Sequence, residues 1–274
     1  MSKNLQNIAY KAIHKQLQKL GLILDQKGYL KKSEDNILQI VNEWSTIKNE
    51  LSSGQGSELK PNKNGVIKFN AAHSSSALCV NNFAHFKEYP HQSSLLQFRN
   101  FEVIQFEKKL HTGISKPNLD LYLETSAEVI GVESKFTEHL CPKKPNKNLD
   151  KYINRSELVY LPSSFNEILW HYIDEKRKYY LDVAQLIKHA IGLRRTSERI
   201  NSKKPVLVYI YWLPENSHDF AAFHKHQNEI NEFQARISKF VDFYHLSYIK
   251  YWSSQELHFP EIVASIKQRY LVNI

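Results

Sequence analysis

The stretch KPNLDLYLETSAEVIGVESKFTEH, residues 116–139, decides the fold because it contains two short segments that each predict a β-strand. These segments cover residues 118–123 and residues 128–135, and side chains alternate in direction along each strand. Pairing of the two strands as a hairpin brings Asp120 on the first alongside Glu133 on the second. The stretch therefore predicts a hairpin with two acidic side chains at one end.

Glu133 and Lys135 stand two residues apart at the end of the second strand. Residues at this spacing point to the same side, so a carboxylate and an ammonium are presented together next to Asp120. Mg²⁺ takes hard oxygen ligands, commonly one or two carboxylates with water and phosphate oxygens. It activates a bound water, and a neighbouring lysine can orient that water or stabilise a phosphoryl oxyanion. These residue types favour metal-dependent hydrolysis.

An exposed strand face also commonly carries Glu and Lys, so the spacing alone leaves that interpretation open. Residues 129–132, Val-Ile-Gly-Val, form an apolar run typical of a central strand buried on both faces. Charged side chains at the end of such a strand are unusual unless a site lies there. The position after a buried strand therefore favours a site.

The composition is that of a globular protein with an excess of positive charge. Of the 274 residues, enough for one large domain or a core with an appended domain, 42% are hydrophobic and 24% are charged. The formal net charge of +9 favours a polyanionic partner. Two cysteines, Cys79 and Cys141, argue against a disulfide scaffold or a cysteine-rich zinc site. Without a membrane-length apolar run or a signal peptide, we expect a cytoplasmic protein with no membrane partner.

Two amphipathic helices are predicted in residues 1–53, an N-terminal helical elaboration. Apolar residues recur at helical spacing over residues 5–20 and again over residues 35–51, with Ser33 as a candidate cap for the second helix. The elaboration could be a packing cap, a dimerisation surface or a DNA-contacting lobe, and the sequence does not decide among these.

Helices and strands alternate in the remainder of the chain, after a loop at residues 52–69. The predicted elements are a serine-capped helix at 74–85, a strand at 101–106, the two hairpin strands, a helix at 178–193, a strand at 205–213, a helix at 220–240, a strand at 244–252 and a helix at 254–271. From residue 74 to residue 213 the order is αβββαβ. This order predicts an α/β fold in which a central mixed sheet is flanked by helices.

Further candidate site residues lie on neighbouring elements. Glu107, directly after the strand at 101–106, could be a third acidic ligand or an ordinary strand-end charge. Residues 176–204 carry nine basic residues against two acids, a surplus that suits a phosphate backbone. The candidate DNA-binding residues are Asn81, Asn82, Lys143, Lys144, Lys147, Arg194 and Arg195. Exposed polar positions with no ligand remain an open alternative for the asparagines and for the lysine-rich loop.

The acidic hairpin resembles the PD-(D/E)XK nuclease superfamily. The pattern is Asp-x12-Glu-x-Lys, with two residues between Pro117 and Asp120 where the superfamily's shorthand places proline directly before aspartate. Blocks between residues 54 and 212 are also similar to the PGN-0703-type restriction-endonuclease-like family of bacterial proteins: GQGSELK, SSSALCVNNF, NLD, GVESKFTEHL, QLIKHAIGL and YIYW. The resemblance implies a restriction-endonuclease-like core at about residues 74–213 within a nuclease domain at residues 54–274.

The resemblance also implies roles for individual residues. The implied catalytic set is Asp120, Glu133, Lys135, Glu107 and Gln185, the last on the helix that packs near the site in this superfamily. Asp120 and Glu133, with the Ser134 carbonyl, would hold Mg²⁺, for which Mn²⁺ is an expected substitute. Glu58 and Glu138 match blocks of the pattern, and no role is assigned to them.

These implications lead us to expect a Mg²⁺-dependent endonuclease acting on double-stranded DNA, as a type II restriction enzyme does. Such enzymes commonly work as two-fold dimers, so a homodimer is expected, with a separately encoded DNA methyltransferase as a further partner. One alternative is a DNA-repair, mobile-element or RNA nuclease on the same fold. The other is a non-catalytic nucleic-acid-binding module. Two acids at the place where a phosphate would bind argue against it.

Overall fold

The molecule is built around one five-stranded mixed sheet. The structure is a computed structural model and describes residues 2–53, 58–145, 148–200 and 203–274. In those residues the strands are β1 (Ser94–Leu95), β2 (Phe98–Arg99), β3 (Val103–Lys109), β4 (Asn118–Glu124), β5 (Glu128–Lys135), β6 (Lys204–Tyr211) and β7 (Asp242–Ser247). The strand order is β3-β4-β5-β6-β7, with β1 and β2 forming a separate small hairpin. β3, β4 and β5 pair antiparallel, and β5, β6 and β7 pair parallel.

Helices cover both faces of the sheet. Within the described residues they are α1 (Ser2–Lys19), α2 (Trp44–Ser53), α3 (Ser75–Phe83), α4 (His85–Glu88), α5 (Phe165–Asp174), α6 (Val183–Arg199), α7 (Ala221–Ile237), α8 (Tyr248–Gln255) and α9 (Pro260–Tyr270). One apolar layer contains residues of α1, α2, α3, α8 and α9, and the other contains residues of α5, α6 and α7. The predicted α/β class, with a mixed sheet flanked by helices, is confirmed.

The alternation of side chains along β6 shows why this strand is apolar throughout. Val206 and Val208 lie in the first layer, whereas Leu207 and Tyr209 lie in the second. A strand in the middle of a sheet has no solvent-facing side, so both sets of alternate positions are apolar.

The predicted hairpin is confirmed as β4 and β5, and β5 has the predicted bounds of residues 128–135. The predicted αβββαβ order also holds for α3, β3, β4, β5, α6 and β6. The structure inserts α4 and the β1–β2 hairpin before β3, and α5 before α6. α4, β1 and β2 are only two to four residues long, too short to give a periodic pattern, whereas α5 has apolar residues at helical spacing that the prediction missed.

The helix predicted at residues 35–51 is wrong in its first half, because α2 begins only at Trp44. The backbone before it is held by long-range hydrogen bonds: the Leu38 N–H donates to Oδ1 of Asn81 at 2.9 Å. Ser33 precedes only a short 3-10 helix (Glu34–Asn36) and makes no capping hydrogen bond, since its hydroxyl donates instead to Oδ1 of Asn70 at 2.7 Å. Tertiary contacts here override a helical pattern.

Three other predicted boundaries are corrected. The strand predicted at residues 244–252 stops at Ser247, whose side chain accepts the Lys250 N–H and so caps α8. The helix predicted at 178–193 begins at Val183 after the cap residue Asp182, and it continues to Arg199. The terminal helix begins at residue 260 rather than 254. Serine and aspartate favour such caps because their oxygens accept free N–H groups of the first helical turn.

The N-terminal helices pack on the sheet. Ala9, Ile13 and Leu17 of α1 and Ile47 of α2 lie in the same apolar layer as the β6 valines. The boundary between this elaboration and the rest of the chain stays a prediction. Among the described residues, no helix has the length and apolarity needed to cross a membrane.

Candidate active site

The hairpin opens at the end where its acidic residues lie. Backbone pairing of β4 with β5 ends at Leu121 and Val132. Beyond this pair the N–H of Ser134 donates to Oδ2 of Asp120 at 2.7 Å. The carboxylate therefore lies against the C-terminal end of β5, beside Glu133, as the hairpin prediction required.

Lys135 lies in a buried polar cluster with Glu133. Its Nζ forms an ion pair with Oε1 of Glu133 and donates to Oε1 of Gln185 at 2.9 Å. On the other side, Nδ1 of the fully buried His189 lies 3.1 Å from Oε2 of Glu133. Glu133 is only 1% exposed, so its charge is compensated by protein groups rather than by water. Lys135 is thereby held beside both predicted metal ligands.

Gln185 and His189 both reach this cluster because their separation along α6 matches the separation of Lys135 and Glu133 along β5. Four residues along α6 rise about 6 Å, and two residues along β5 span about 6.6 Å. Gln185 therefore meets Lys135 while His189 meets Glu133, with α6 running antiparallel to β5. The sequence predicted Gln185 as an assisting residue, but it did not reveal the contact of His189.

Glu107 joins the cluster from the neighbouring strand, where the register of β3 with β4 sets it beside Asp120. Its φ of +51° is in the left-handed region, which costs a non-glycine residue about 1–3 kcal/mol. Burial raises the pKa of Glu107 to about 8, with further contributions from the charges of Glu58 and Glu133. The structure thus places Glu107 with the other acids rather than at an exposed strand end.

Two more carboxylates, Glu58 and Glu138, lie close to the same cluster. Oε2 of Glu138 accepts the N–H groups of Phe136 and Thr137 at 2.9 and 3.0 Å. Burial raises the pKa of Glu58, although Lys68 lies 3.7 Å away. These positions were matched to sequence blocks without a role, and the structure now sets them around Lys135 and Glu107.

The N-terminal end of α3 supplies hydroxyl groups to these acids. The hydroxyl of Ser75 acts to lower the pKa of Glu138, and that of Ser76 acts to lower the pKa values of Glu58 and Glu107. In the sequence, the signal for a role of these serines is the run of three serines at residues 74–76, which predicted only a helix cap.

The cluster contains more acidic than basic groups, and burial together with the neighbouring charges sets the direction of each pKa shift. Burial, and then the charge of Glu133, raise the pKa of Asp120 well above its usual value. Burial also disfavours the charged form of Glu133, but Lys135 and His189 outweigh it and lower the pKa of Glu133. Although burial opposes its charge, Lys135 has a raised pKa because it faces Glu133, Glu138 and Asp120. A further cation would be strongly favoured here.

The predicted DNA contacts of Asn81 and Asn82 are wrong, because both side chains are buried inside the protein. Asn81 donates to the hydroxyl of Tyr270 at 2.6 Å. Asn82 accepts the indole N–H of Trp252 at 2.6 Å. Both amides satisfy buried polar groups, which explains why a poor helix former stands twice in the middle of α3.

The candidate basic residues lie on elements that border the cluster. Lys143 pairs with Asp182, the cap of α6, at 3.1 Å, and Lys144 is exposed. Lys147 lies outside the described residues. On α6, Nη2 of Arg194 lies 3.8 Å from a carboxylate oxygen of Glu198, four residues further along the helix. Arg195 lines a separate pocket at the β3–β4 turn. Their contacts with DNA stay predictions.

One family model matches the chain along nearly its whole length. It describes a restriction endonuclease associating with ARP, and the match covers residues 4–271. The chain belongs to this restriction endonuclease family. The predicted restriction-endonuclease-like relationship is thereby confirmed, and family membership supports a nuclease. No curated protein and no solved structure gives a match.

Restriction-endonuclease-like families typically use a divalent metal, and the oxygen donors of this family member suit Mg²⁺. Burial first, and then the negative charge of Glu133, raise the pKa of Asp120, and a cation would offset that negative charge. In the described part of the chain, no group of three or more His, Cys, Asp or Glu side chains is arranged to hold a metal. Mg²⁺ needs only one or two protein carboxylates, with water completing the shell. Asp120 and Glu133 are two carboxylates of this kind, and their assignment as metal ligands stays a prediction.

Glu107→Gln should flatten the pH dependence of stability in the metal-free protein. A carboxyl whose pKa rises from 4.5 to about 8 on folding contributes stability that is fully present below the lower value. That stability is lost as the pH rises through the higher value, and glutamine has no proton to lose. Thermal denaturation in chelator should show a smaller fall in Tm from about pH 5 to about pH 8 for the variant. Glu102→Gln, at an acid 54% exposed, is the control and should keep the wild-type slope.

His189→Ala should lower kcat by about 10–100-fold with little change in KM, because it leaves Oε2 of Glu133 without its buried neighbour. His189→Asn, whose amide can still donate, should recover part of the loss. Steady-state cleavage kinetics measure both variants, with exposed His224→Ala as control. An unchanged kcat for His189→Ala would leave this histidine a packing residue only.

Proposed function

We propose that this chain is a Mg²⁺-dependent endonuclease that hydrolyses phosphodiester bonds of double-stranded DNA, most simply as a type II restriction enzyme. The observation that carries the proposal is the position of Lys135. Its ammonium is held between Glu133 and Gln185, next to Asp120, at the open end of the hairpin. Family membership supports nuclease activity, and this geometry supports the metal and the mechanism.

Asp120 and Glu133 would hold the metal, with the Ser134 carbonyl as a third oxygen. The Ser134 side chain is not available for this role, because its hydroxyl bonds to that of Tyr248 on the other face of the sheet. Bound there, Mg²⁺, or Mn²⁺ in its place, supplies an acidified water and compensates charge on the phosphate. Glu107, the third acid of the cluster, would be available as a further oxygen ligand for the metal.

Lys135 would orient the attacking water and stabilise the charge that develops on the phosphoryl oxygens. Its raised pKa keeps it cationic at neutral pH, so it acts as an electrostatic group rather than a base. Gln185 would fix the direction of the ammonium through its 2.9 Å hydrogen bond. A preorganised donor of this kind needs no rearrangement at the moment of reaction.

Double-stranded DNA is the proposed substrate because a net charge of +9 favours a polyanion. The lysine-rich loop that follows β5 borders the cluster through the pairing of Lys143 with Asp182. Cleavage of both strands of a palindrome matches a two-fold homodimer, which we include in the proposal together with a cognate methyltransferase. A repair, mobile-element or RNA nuclease remains the second candidate, since the same cluster would serve any phosphodiester.

A binding-only module is disfavoured by the cost of this cluster. Burying several carboxylates with one ammonium opposes folding, because each charge loses its hydration. Asp120 and Glu107 both have raised pKa values for this reason. A protein that only binds DNA gains nothing from placing such acids where a phosphate must approach.

The test is incubation of the purified protein with unmethylated phage DNA, in Mg²⁺ and in chelator, beside Glu133→Gln. Exposed Glu261→Gln, on α9, serves as the matched control. Discrete fragments that require both Mg²⁺ and Glu133 are the expected result. A metal-dependent smear would retain the nuclease and remove the restriction role, and binding without cleavage would support the module.

A further inference from the structure

A basic pocket lies where the β3–β4 turn meets the second half of α6. The pocket has a volume of about 240 Å³ and is lined by residues 111 and 113–116 with Arg195 and Arg199. Three lining side chains are cationic, namely Lys116, Arg195 and Arg199, and none of the lining residues is acidic. The lining therefore has the composition of an anion site.

The cations of this pocket have no acidic partner among the residues that the structure describes. The nearby carboxylates are already paired, Glu157 with Arg155 at 3.0 Å and Glu198 with Arg194 at 3.8 Å. The pKa of His111 is lowered, by slight burial first and then by the surrounding cations. The pocket thus concentrates positive potential without an internal counterion.

The turn that forms one wall is held in place before any ligand binds. The hydroxyl of Thr112 accepts the N–H groups of Ile114 and Ser115 at 3.1 and 2.8 Å. Gly113 has a φ of +98°, and a Cβ at this position would lie 2.2 Å from Nη1 of Arg195. The glycine therefore leaves the space in which the guanidinium rests on the turn. A fixed wall lowers the entropic cost of binding.

Two segments of the chain connect the pocket with the acidic cluster, and they give similar estimates of the distance between the two. Lys116 precedes Asp120 by four residues, which is about 13 Å along an extended chain. Arg195 follows His189 by six residues, which is about 9 Å along α6. Separations of this size let one DNA strand contact the pocket and the cluster through nearby phosphates.

We infer that this pocket binds a backbone phosphate of the DNA substrate, close to the phosphate that is cleaved. The inference rests on the proposed nuclease function for its substrate. Guanidinium groups suit this ligand because their planar donors match phosphate oxygens. Since the contact is to the backbone, it positions the duplex and contributes equally to every sequence.

The test measures the affinity of a duplex of about 20 base pairs in chelator, as a function of salt, for the double variant Arg195→Ala, Arg199→Ala. Loss of one phosphate contact should reduce the salt slope by about 0.9, equivalent to about eightfold weaker binding near 0.1 M salt. Two unrelated duplexes should show the same loss. The lysine double variant Arg195→Lys, Arg199→Lys should regain most of the affinity.

The matched control is Lys225→Ala, Lys239→Ala, which removes the same charge from exposed positions beside α7 and β7, at the opposite edge of the sheet. An equal loss in this control, or an unchanged slope in the pocket variant, would overturn the inference. A lower Tm with unchanged affinity would do so too, since the arginines would then only stabilise the C-terminal end of α6.

Cleavage assays separate the pocket from the nuclease proposal. The pocket variant should show a raised KM and a nearly unchanged kcat. If the wild type binds DNA through the pocket but does not cleave with Mg²⁺, the pocket stands and the nuclease proposal fails. If the wild type does not bind duplex DNA at all, both fail.

Discussion

Replacing Lys135 with alanine is expected to lower kcat for DNA cleavage by about 10²–10³-fold while leaving DNA affinity nearly unchanged. The ammonium pairs with Glu133 and bonds to Gln185, so its loss removes the positive charge that we propose stabilises the reacting phosphate. The affinity is preserved because most binding energy comes from phosphate contacts elsewhere on the duplex. Single-turnover cleavage and equilibrium binding in chelator measure the two quantities separately.

The alanine variant also leaves Glu133 buried without its ammonium, and breaking a buried pair costs up to about 3–5 kcal/mol. Thermal denaturation should therefore accompany the assay, which is run well below the Tm of the variant. Lys135→Arg keeps the positive charge in a larger group. This variant should retain more of the wild-type stability than of the wild-type cleavage rate. Exposed Lys144→Ala controls for the loss of one positive charge. Cleavage at the normal rate in Lys135→Ala would remove the assigned role.

Asp120→Asn is expected to abolish metal-dependent cleavage, by about three orders of magnitude, and yet to stabilise the metal-free protein at pH values above the raised pKa of Asp120. Burial and the charge of Glu133 raise the pKa of Asp120 well above its usual value. A raised pKa means that stability is lost as the pH rises through the folded-state value. Asparagine stays neutral, and its amide oxygen can still accept the Ser134 N–H.

The measurement is Tm against pH for wild type and Asp120→Asn, with chelator and with Mg²⁺. In chelator at alkaline pH the variant should melt higher and bind DNA more tightly, because it carries one negative charge less. Mg²⁺ should raise the Tm of the wild type but not that of the variant. Exposed Asp150→Asn is the control. A lower Tm together with collapsed DNA binding would make Asp120 a structural anchor of β5.

Local patterns predicted the elements whose form depends on their own side chains. β5 and β6 were recognisable because both of their faces are apolar, and the short connection of the hairpin was enough to predict Asp120 next to Glu133. The predictions for residues 35–51 and 244–252 were wrong because contacts outside the local pattern decide the structure there. At the first, Asn81 binds the Leu38 backbone, and at the second, Ser247 starts a helix inside an apolar pattern.

The asparagines of α3 show that predicting the function of a residue from sequence has the same limit. Two adjacent polar residues in a helix suggested contact with DNA, because a sequence does not show whether an amide is exposed. Burial against Tyr270 and Trp252, almost two hundred residues further along the chain, decided their role.

The sequence by itself determined the hairpin, the order of elements around it and the grouping of Asp120 with Glu133 and Lys135, since strand alternation acts over two residues and a tight hairpin over fourteen. Only the tertiary structure decided which groups surround that set. His189, Glu58 and Ser76 reach it from α6, from the loop before α3 and from α3. Their positions depend on how helices pack across the sheet, and that packing is a property of the whole apolar core rather than of any local pattern.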